Sequence, residues 1–333
     1  MTLPVLGLVI PCYNEDEVLR ETTARLIPLL AQMREENLIS DQSAVFYVDD
    51  GSRDGTWALI EELASAYPEV SGIKLARNRG HQNALLCGLM TAPGDMLISV
   101  DADLQDDLAV IPQMVRHYRN GCDVVYGVRK RRDTDTFFKR FTAEGYYKLM
   151  AAMKVDVVFN HADYRLMSRR ALDALSEYRE VNLFLRGLVR LLGFQSAIVE
   201  YDRAERFAGE SKYPLKKMLS FAWQGITSFS TAPLRLITTM GFVISLISCG
   251  LAFWALGTRF LFDEALPGWT STVVPMYFLG GIQLLSLGVI GEYIAKIYME
   301  SKGRPRFHVD LLKGRAFNSR QRQADQLLSK DRT

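Results

Sequence analysis

The sequence predicts an α/β protein: a parallel, Rossmann-like sheet in the N-terminal two thirds, then a membrane-associated C-terminal third. Three observations carry this. Short apolar runs alternate with stretches of helical periodicity, the pattern of β-α units. Acidic and amide residues cluster just after the apolar runs, where open α/β sheets bind ligands. Two long uncharged runs follow.

In order, LGLVI (6–10) reads as the first strand, and helical periodicity begins at Val18. AVFYVDDGSRDGT (44–56) repeats the unit, with Asp54 or Thr56 placed to cap the helix TWALIEELASAY. GIKLARNRG (72–80) supplies a third strand and HQNALLCGLM a third helix. MLISV (96–100), after the turn signal APGD, is a fourth strand, and VDADLQDD (100–107) overlaps its end. Asn14, Glu15, Asp49, Asp50, Arg77, Asn78, Asp101 and Asp103 all fall just past these strand ends. Each alone suits a turn or cap; their common placement points to a site. Carboxylates one residue apart suit a hard divalent cation shared with substrate phosphates. No G-x-G-x-x-G follows the first strand and no G-x-x-x-x-G-K-[ST] occurs, which argues against dinucleotide and P-loop chemistry.

The 333 residues carry a net charge of +2, which gives no sign of nucleic-acid binding, and none is expected. Cys12, Cys87, Cys122 and Cys249 show no C-x-x-C spacing, so neither a zinc site nor a disulfide framework is expected. The N-terminus lacks a basic n-region and reads as a strand, not a signal peptide. Leu236–Leu256 and Thr272–Ile290 are uncharged and long enough to span hydrocarbon. Lys212, Lys216, Lys217 and Arg235 precede them, and Lys296, Lys302, Arg304 and Arg306 follow; the positive-inside rule puts both ends in the cytoplasm. Residues 213–230 and 137–153 have the apolar stripes and lysines of interfacial helices. The polar stretch 311–333 reads as flexible.

LVIPCYNEDE (8–17), VDDGSRDGT (48–56), LARNRGHQNALLCGL (75–89) and VDADLQDD together resemble the family-two glycosyltransferases of the GT-A fold. VVYGVRKRR (124–132), HADYRLMSRR (161–170), NLFLRGLVRLLGF (182–194), YDRAERFAGESKY (201–213), GITSFSTAPLRL (225–236) and GEYIAKIYMESKGRPRF (291–307) narrow the resemblance to polyprenyl-phosphate glycosyltransferases, such as bactoprenol glucosyltransferases and, more distantly, dolichyl-phosphate mannose synthase. Asp107 stands where that family usually has proline, and His161-Ala162 where glycine is common.

The resemblance implies four segments: a cytoplasmic GT-A domain (1–212), an interfacial helix (213–232), two transmembrane helices with a short external connector (233–298) and a basic tail (299–333). It implies a multi-pass protein of the bacterial inner membrane that transfers one sugar from a nucleotide sugar, UDP-glucose first, to undecaprenyl phosphate with inversion, for cell-surface glycan modification. UDP-GlcNAc, UDP-galactose, GDP-mannose or a modified aminopentose donor are alternatives, as is a catalytically silent subunit that binds sugar nucleotide or lipid. A processive synthase is disfavoured by the missing Q-x-x-R-W motif. Homo-oligomers, which relatives form, remain open.

By the same resemblance, Pro11, Tyr13, Glu15, Asp50, Asp101 and Arg206 bind the nucleotide sugar, and Asp103 and Gln105 hold Mg²⁺ or Mn²⁺. Arg129, Arg203 and Lys212 take the lipid phosphate. Asp163, Asp103 and Arg129 are the catalytic candidates. Asp163 matches a residue proposed as general base, yet a phosphate monoester with a second pKa of about 6 is already largely a dianion at neutral pH. Orienting the acceptor, or stabilising positive charge at the anomeric carbon, is the alternative role.

Overall fold

The computed structural model describes residues 2–129, 161–180, 183–202, 233–234, 236–244, 246–247, 250 and 269–317. The chain divides into two compact units: Met1–Tyr147, Asp156–Tyr213 and Arg304–Thr333 form one, and Lys148–Val155 with Pro214–Gly303 form the other.

The first unit is organised by one eight-stranded sheet. Its strands are β1 (Leu6–Cys12), β2 (Ala44–Asp49), β3 (Val70–Leu75), β4 (Met96–Ser99), β5 (Val124–Arg129), β6 (His161–Ser168), β7 (Ser196–Tyr201) and β8 (Val309–Gly314). Their spatial order is β7-β5-β6-β4-β1-β2-β3-β8. Among the described residues its helices are α1 (Leu19–Glu35), α2 (Thr56–Ala66), α3 (His81–Thr91), α4 (Ile111–Arg119), α5 (Arg169–Ser176) and α6 (Leu185–Leu191). β1, β2 and β4 are buried at every residue, as expected of strands covered on both faces. The strand–helix alternation therefore predicts the first four units correctly, and β4, β1, β2 and β3 run parallel.

The sheet is not parallel throughout, as the sequence pattern suggests. β6 runs antiparallel to both β4 and β5, and β8 antiparallel to β3. The reversal of β6 has a consequence for the site. Its N-terminal half lies beside the C-terminal ends of β4 and β5, so Asp163 reaches the same edge as Asp101 and Arg129. β7 runs parallel to β5 and brings Tyr201 there too.

The expected flexible stretch from 311 is corrected at its start. Leu311–Gly314 belong to β8, which pairs with the otherwise open edge of β3, and Phe317 is buried edge-to-face on Phe46 at 5.7 Å. Unpaired edge groups invite a covering strand. VDLLKG hides this because Leu311 and Leu312 are adjacent and break the apolar–polar alternation of a strand.

In the second unit, α7 (Trp269–Ser301) holds a 24-residue segment, Phe278–Ser301, that is long and apolar enough to cross a membrane, with an 18-residue window of mean hydropathy 1.5. None of its window is buried in the protein, which separates it from a core helix: Leu284 and Leu285 are exposed. The apolar helix continues past Ile290, beyond the expected end. Of the other expected span, 236–244 is helical; residues 245, 248, 249 and 251–256 lie outside the described residues, as do 137–153 and 213–230.

Candidate active site

The C-terminal edge of the sheet gathers the polar loops. After β1, Asn14 adopts φ 55°. Its amide donates to Ser52 Oγ at 3.0 Å, and its Oδ1 accepts from the Arg53 amide at 2.9 Å. The Glu15 amide donates to Thr56 Oγ1 at 2.8 Å, and Asp16 accepts from the Gly55 amide at 3.2 Å. The loops after β1 and β2 are thus laced together. Pro11 is buried at the end of β1, while Tyr13 stays 43% exposed. Asp54 accepts from the Thr56 amide and hydroxyl in a local turn just before α2; the cap residue itself is Gly55, so neither Asp54 nor Thr56 caps the helix as expected, and no side chain does.

Asp50 ties this pair to the third loop. Its Oδ1 accepts from the Arg79 amide at 2.7 Å and its Oδ2 from the Gly80 amide at 2.9 Å. Burial raises its pKa, and the two amides pull it back. Gly51, at φ 68°, lies so close to the third loop that a Cβ would come within 2.6 Å of the Asn78 nitrogen. Asp50 therefore first holds a loop, and any contact to a nucleotide comes in addition.

The loop after β4 carries Asp101, Asp103 and Gln105. Leu104 at φ 56° turns the chain, and the Gln105 amide donates to Asp103 Oδ1 at 3.3 Å. Asp107 caps the short 3₁₀ turn Leu108–Val110 by accepting from the Ala109 amide. That is what replaces the family's usual proline. Asp103 and Gln105 offer oxygen donors only, which suits Mg²⁺ or Mn²⁺. Among the described residues no group of three or more His, Cys, Asp or Glu side chains could hold a metal by itself. A cation there would complete its shell with substrate oxygens and water, the usual habit of Mg²⁺.

Asp163 is the most heavily paired carboxylate of the site. Arg165 donates to its Oδ1 at 2.7 Å, and Arg186 on α6 forks onto both oxygens at 3.2 Å. His81, at the start of α3, stands with Nε2 3.7 Å from both Asp163 Oδ2 and Asp101 Oδ1. Burial works against the Asp163 charge, but Arg186 and Arg165 outweigh it and hold the carboxyl well below the usual range. Asp101 moves the other way. Burial, only partly opposed by His81 and reinforced by Asp106, Asp163 and Asp103, pushes it up to about 6.

Arg129, at the end of β5, donates from Nε to Tyr201 Oη at 3.1 Å and from Nη2 to Asp106 Oδ1 at 3.2 Å. Burial lowers its pKa, while Tyr201 and Asp106 more than restore it. Arg203, Arg206 and Lys212 lie outside the described residues.

Sequence reasoning places Asn14, Glu15, Asp49, Asp50, Arg77, Asn78, Asp101 and Asp103 at the strand ends, and the structure has them at the C-terminal ends of β1 to β4; Pro11, Tyr13, Gln105, Arg129 and Asp163, named through the resemblance, lie at the same edge. It misses His81, Asp106, Arg165, Arg186 and Tyr201. Asp163 and Arg165, two apart in an otherwise apolar strand, share one face. That alternation was a usable signal for a buried ion pair; nothing local marks the other four.

Residues 8–176 match the glycosyl transferase family 2 model. The chain is 50% identical over 330 residues to the uncharacterized glycosyltransferase YkoT of Bacillus subtilis, covering 98% of each. It is 39% identical to a prophage bactoprenol glucosyl transferase homolog of Escherichia coli, over 92% of this chain and 99% of that one. The bactoprenol glucosyl transferase of Shigella phage SfX is also 39% identical, over 91% and 97%. Among solved structures, a glucosyl-3-phosphoglycerate synthase from Mycobacterium tuberculosis is 18% identical over 67% of this chain and 78% of its own, with a TM-score of 0.44. That likeness is too slight to carry an argument. The sequence match is not: the chain belongs to glycosyltransferase family 2.

Proposed function

We propose that this glycosyltransferase moves one sugar from a nucleoside diphosphate, UDP-glucose first among the candidates, to undecaprenyl phosphate. The observation that carries the reading is the meeting, at one sheet edge, of an oxygen-donor loop (Asp103, Gln105) and a guanidinium (Arg129) whose Nη1 donors have no acceptor among the described residues. The first suits a metal-bound diphosphate, the second a phosphate acceptor. The relatives named bactoprenol glucosyl transferases support the lipid acceptor. The apolar segment Phe278–Ser301 supports a place at the bacterial inner membrane, with the first unit on the cytoplasmic side and 236–256 as a second span.

In this reading Pro11, Tyr13, Glu15, Asp50 and Asp101 line the nucleotide pocket, with Arg206, and Tyr13 offers a ring for the base to stack on. Asp103 and Gln105 hold Mg²⁺ or Mn²⁺, which when bound stabilises charge on the departing diphosphate. Arg129, with Arg203 and Lys212, holds the acceptor phosphate so that one oxygen attacks the anomeric carbon in line and inverts it. Asp163 acts as an anion. Two arginines keep it ionised, which makes it a poor proton acceptor, and a phosphate dianion needs none. It positions Arg186 and favours positive charge at the anomeric carbon.

The test is transfer of radiolabel from a panel of UDP-sugars and GDP-mannose to undecaprenyl phosphate by the purified full chain with Mn²⁺. A labelled lipid from one donor, abolished by a chelator and by Asp103→Ala, is expected. No labelled lipid from any donor, with folded protein, would overturn the proposal and favour the silent-subunit alternative.

A further inference from the structure

Asp106 is used neither by the proposed metal site nor by the nucleotide pocket, yet its side chain is only 1% exposed. Burying a carboxylate is costly unless it is paired. Its Oδ1 accepts from Tyr201 Oη at 2.5 Å and from Arg129 Nη2 at 3.2 Å, while its Oδ2 has no partner among the described residues. Tyr201 Oη also accepts from Arg129 Nε. The three groups close a ring, each touching the other two.

The ring is braced from behind. Tyr164 packs edge-to-face on Tyr201 at 5.3 Å, and its hydroxyl donates to the Asp107 carbonyl at 2.9 Å. Tyr201 and Tyr164 are both buried. The guanidinium has five N–H donors in a planar fork. Tyr201 and Asp106 take Nε–H and one Nη2–H. The remaining three, two on Nη1 and one on Nη2, have no acceptor among the described residues, and the Arg129 side chain is 27% exposed. Nη1 and Nη2 with open donors form the edge that grips two phosphate oxygens at once.

We infer that Asp106 and Tyr201 are positioning residues that fix the inner edge of the Arg129 guanidinium so that its outer edge is presented to the acceptor phosphate. Asp106 follows Gln105 directly and lies three residues after Asp103. The same loop therefore carries the proposed metal donors and sets the arginine. This rests on the reading that Arg129 takes the acceptor phosphate.

The experiment measures Kd for undecaprenyl phosphate with the full chain in detergent, and in parallel KM for UDP-glucose. Arg129→Ala, Tyr201→Phe, Asp106→Asn and the doubles Arg129→Ala/Tyr201→Phe and Arg129→Ala/Asp106→Asn are compared with the unaltered protein. Tyr201→Phe keeps the ring and its packing, so it decides the matter if Asp106→Asn does not fold. Tyr201→Phe and Asp106→Asn are each expected to weaken lipid binding about 5- to 20-fold, as befits impairing one charge-assisted hydrogen bond, and Arg129→Ala by at least as much; all three should leave donor KM within about twofold. In the Arg129→Ala background neither Tyr201→Phe nor Asp106→Asn should weaken it further, because the group they position is gone. Unchanged lipid Kd in Tyr201→Phe, while Arg129→Ala weakens it, would overturn the positioning role alone. Full additivity in the doubles would overturn it as well. Unchanged Kd in Arg129→Ala, or no lipid binding by the unaltered protein, would overturn the reading beneath it.

Discussion

The loops after β1, β2 and β3, with the Asp103–Gln105 turn after β4, are held mainly through backbone amides, whereas Asp106 and the strands β5, β6 and β7 meet through side chains, mostly as ion pairs. In the first region Asp50 spends both oxygens on the Arg79 and Gly80 amides, and Asn14 and Asp16 do similar work across to the second loop. In the second, Asp163 is met by Arg165 and Arg186, and Asp106 by Arg129. A backbone-held loop offers a fixed rim against which a nucleotide can lie. A set of paired charges offers groups whose ionisation is assured before substrate arrives. In the proposed function the first arrangement serves the donor and the second the acceptor.

The largest effect should come from breaking the second region. Asp163→Ala leaves the buried Arg165 guanidinium, 1% exposed, without its partner, and removing one member of a buried pair typically costs about 3–5 kcal/mol. Denaturant unfolding of the detergent-solubilised chain measures this. The pH sense is fixed by the lowered Asp163 pKa: its stabilising charge is complete above the unfolded value near 4 and is lost only as pH falls through the lower folded value. An acid limb in the transfer rate between pH 5 and 7 that disappeared in Asp163→Asn would make it a base after all and break the contrast.

Next in size, Asp103→Ala should slow transfer by about 10²–10³-fold, the usual worth of one preorganised charge stabiliser, with the unfolding midpoint little changed. Steady-state rates at saturating Mn²⁺ decide this.

A smaller effect of opposite sign is expected at Asp101. The native carboxyl holds its proton up to about 6, against about 3.9 in the unfolded chain, so stability falls as pH rises between those values. Without metal or nucleotide, Asp101→Asn should raise the unfolding free energy at pH 7.5 by about 1–2 kcal/mol once its 34% side-chain exposure is allowed for, and the gain should vanish near pH 4. The smallest effect belongs to the exposed pair Arg20–Glu62: Arg20→Ala should leave both midpoint and rate unchanged, because solvent screens such pairs.

The two regions also differ in how far the sequence reveals them. Strand, polar turn and helix follow one another closely along the first hundred or so residues, so periodicity exposes both the fold and the edge where Asp50, Asp101 and Asp103 lie. Arg129, Asp163 and Tyr201 come from three strands whose order and direction no local pattern encodes. Asp106 and Tyr201 are 95 residues apart, and Asp163 and Arg186 belong to different elements. Motif position alone pointed to Arg129 and Asp163. The residues that fix their charge and orientation needed the antiparallel placement of β6 to be seen. β8 was hidden for a related reason, since an edge strand that arrives from beyond a membrane-type helix carries no alternation strong enough to announce it.

The most direct measurement is calorimetric binding of UDP with Mn²⁺ to the unaltered chain, Asp103→Ala and Arg129→Ala. If the backbone-held region serves the donor and the ion-paired region the acceptor, Asp103→Ala should weaken UDP binding at least tenfold while Arg129→Ala leaves it within about twofold. Equal weakening by both would contradict the division of the site into two regions.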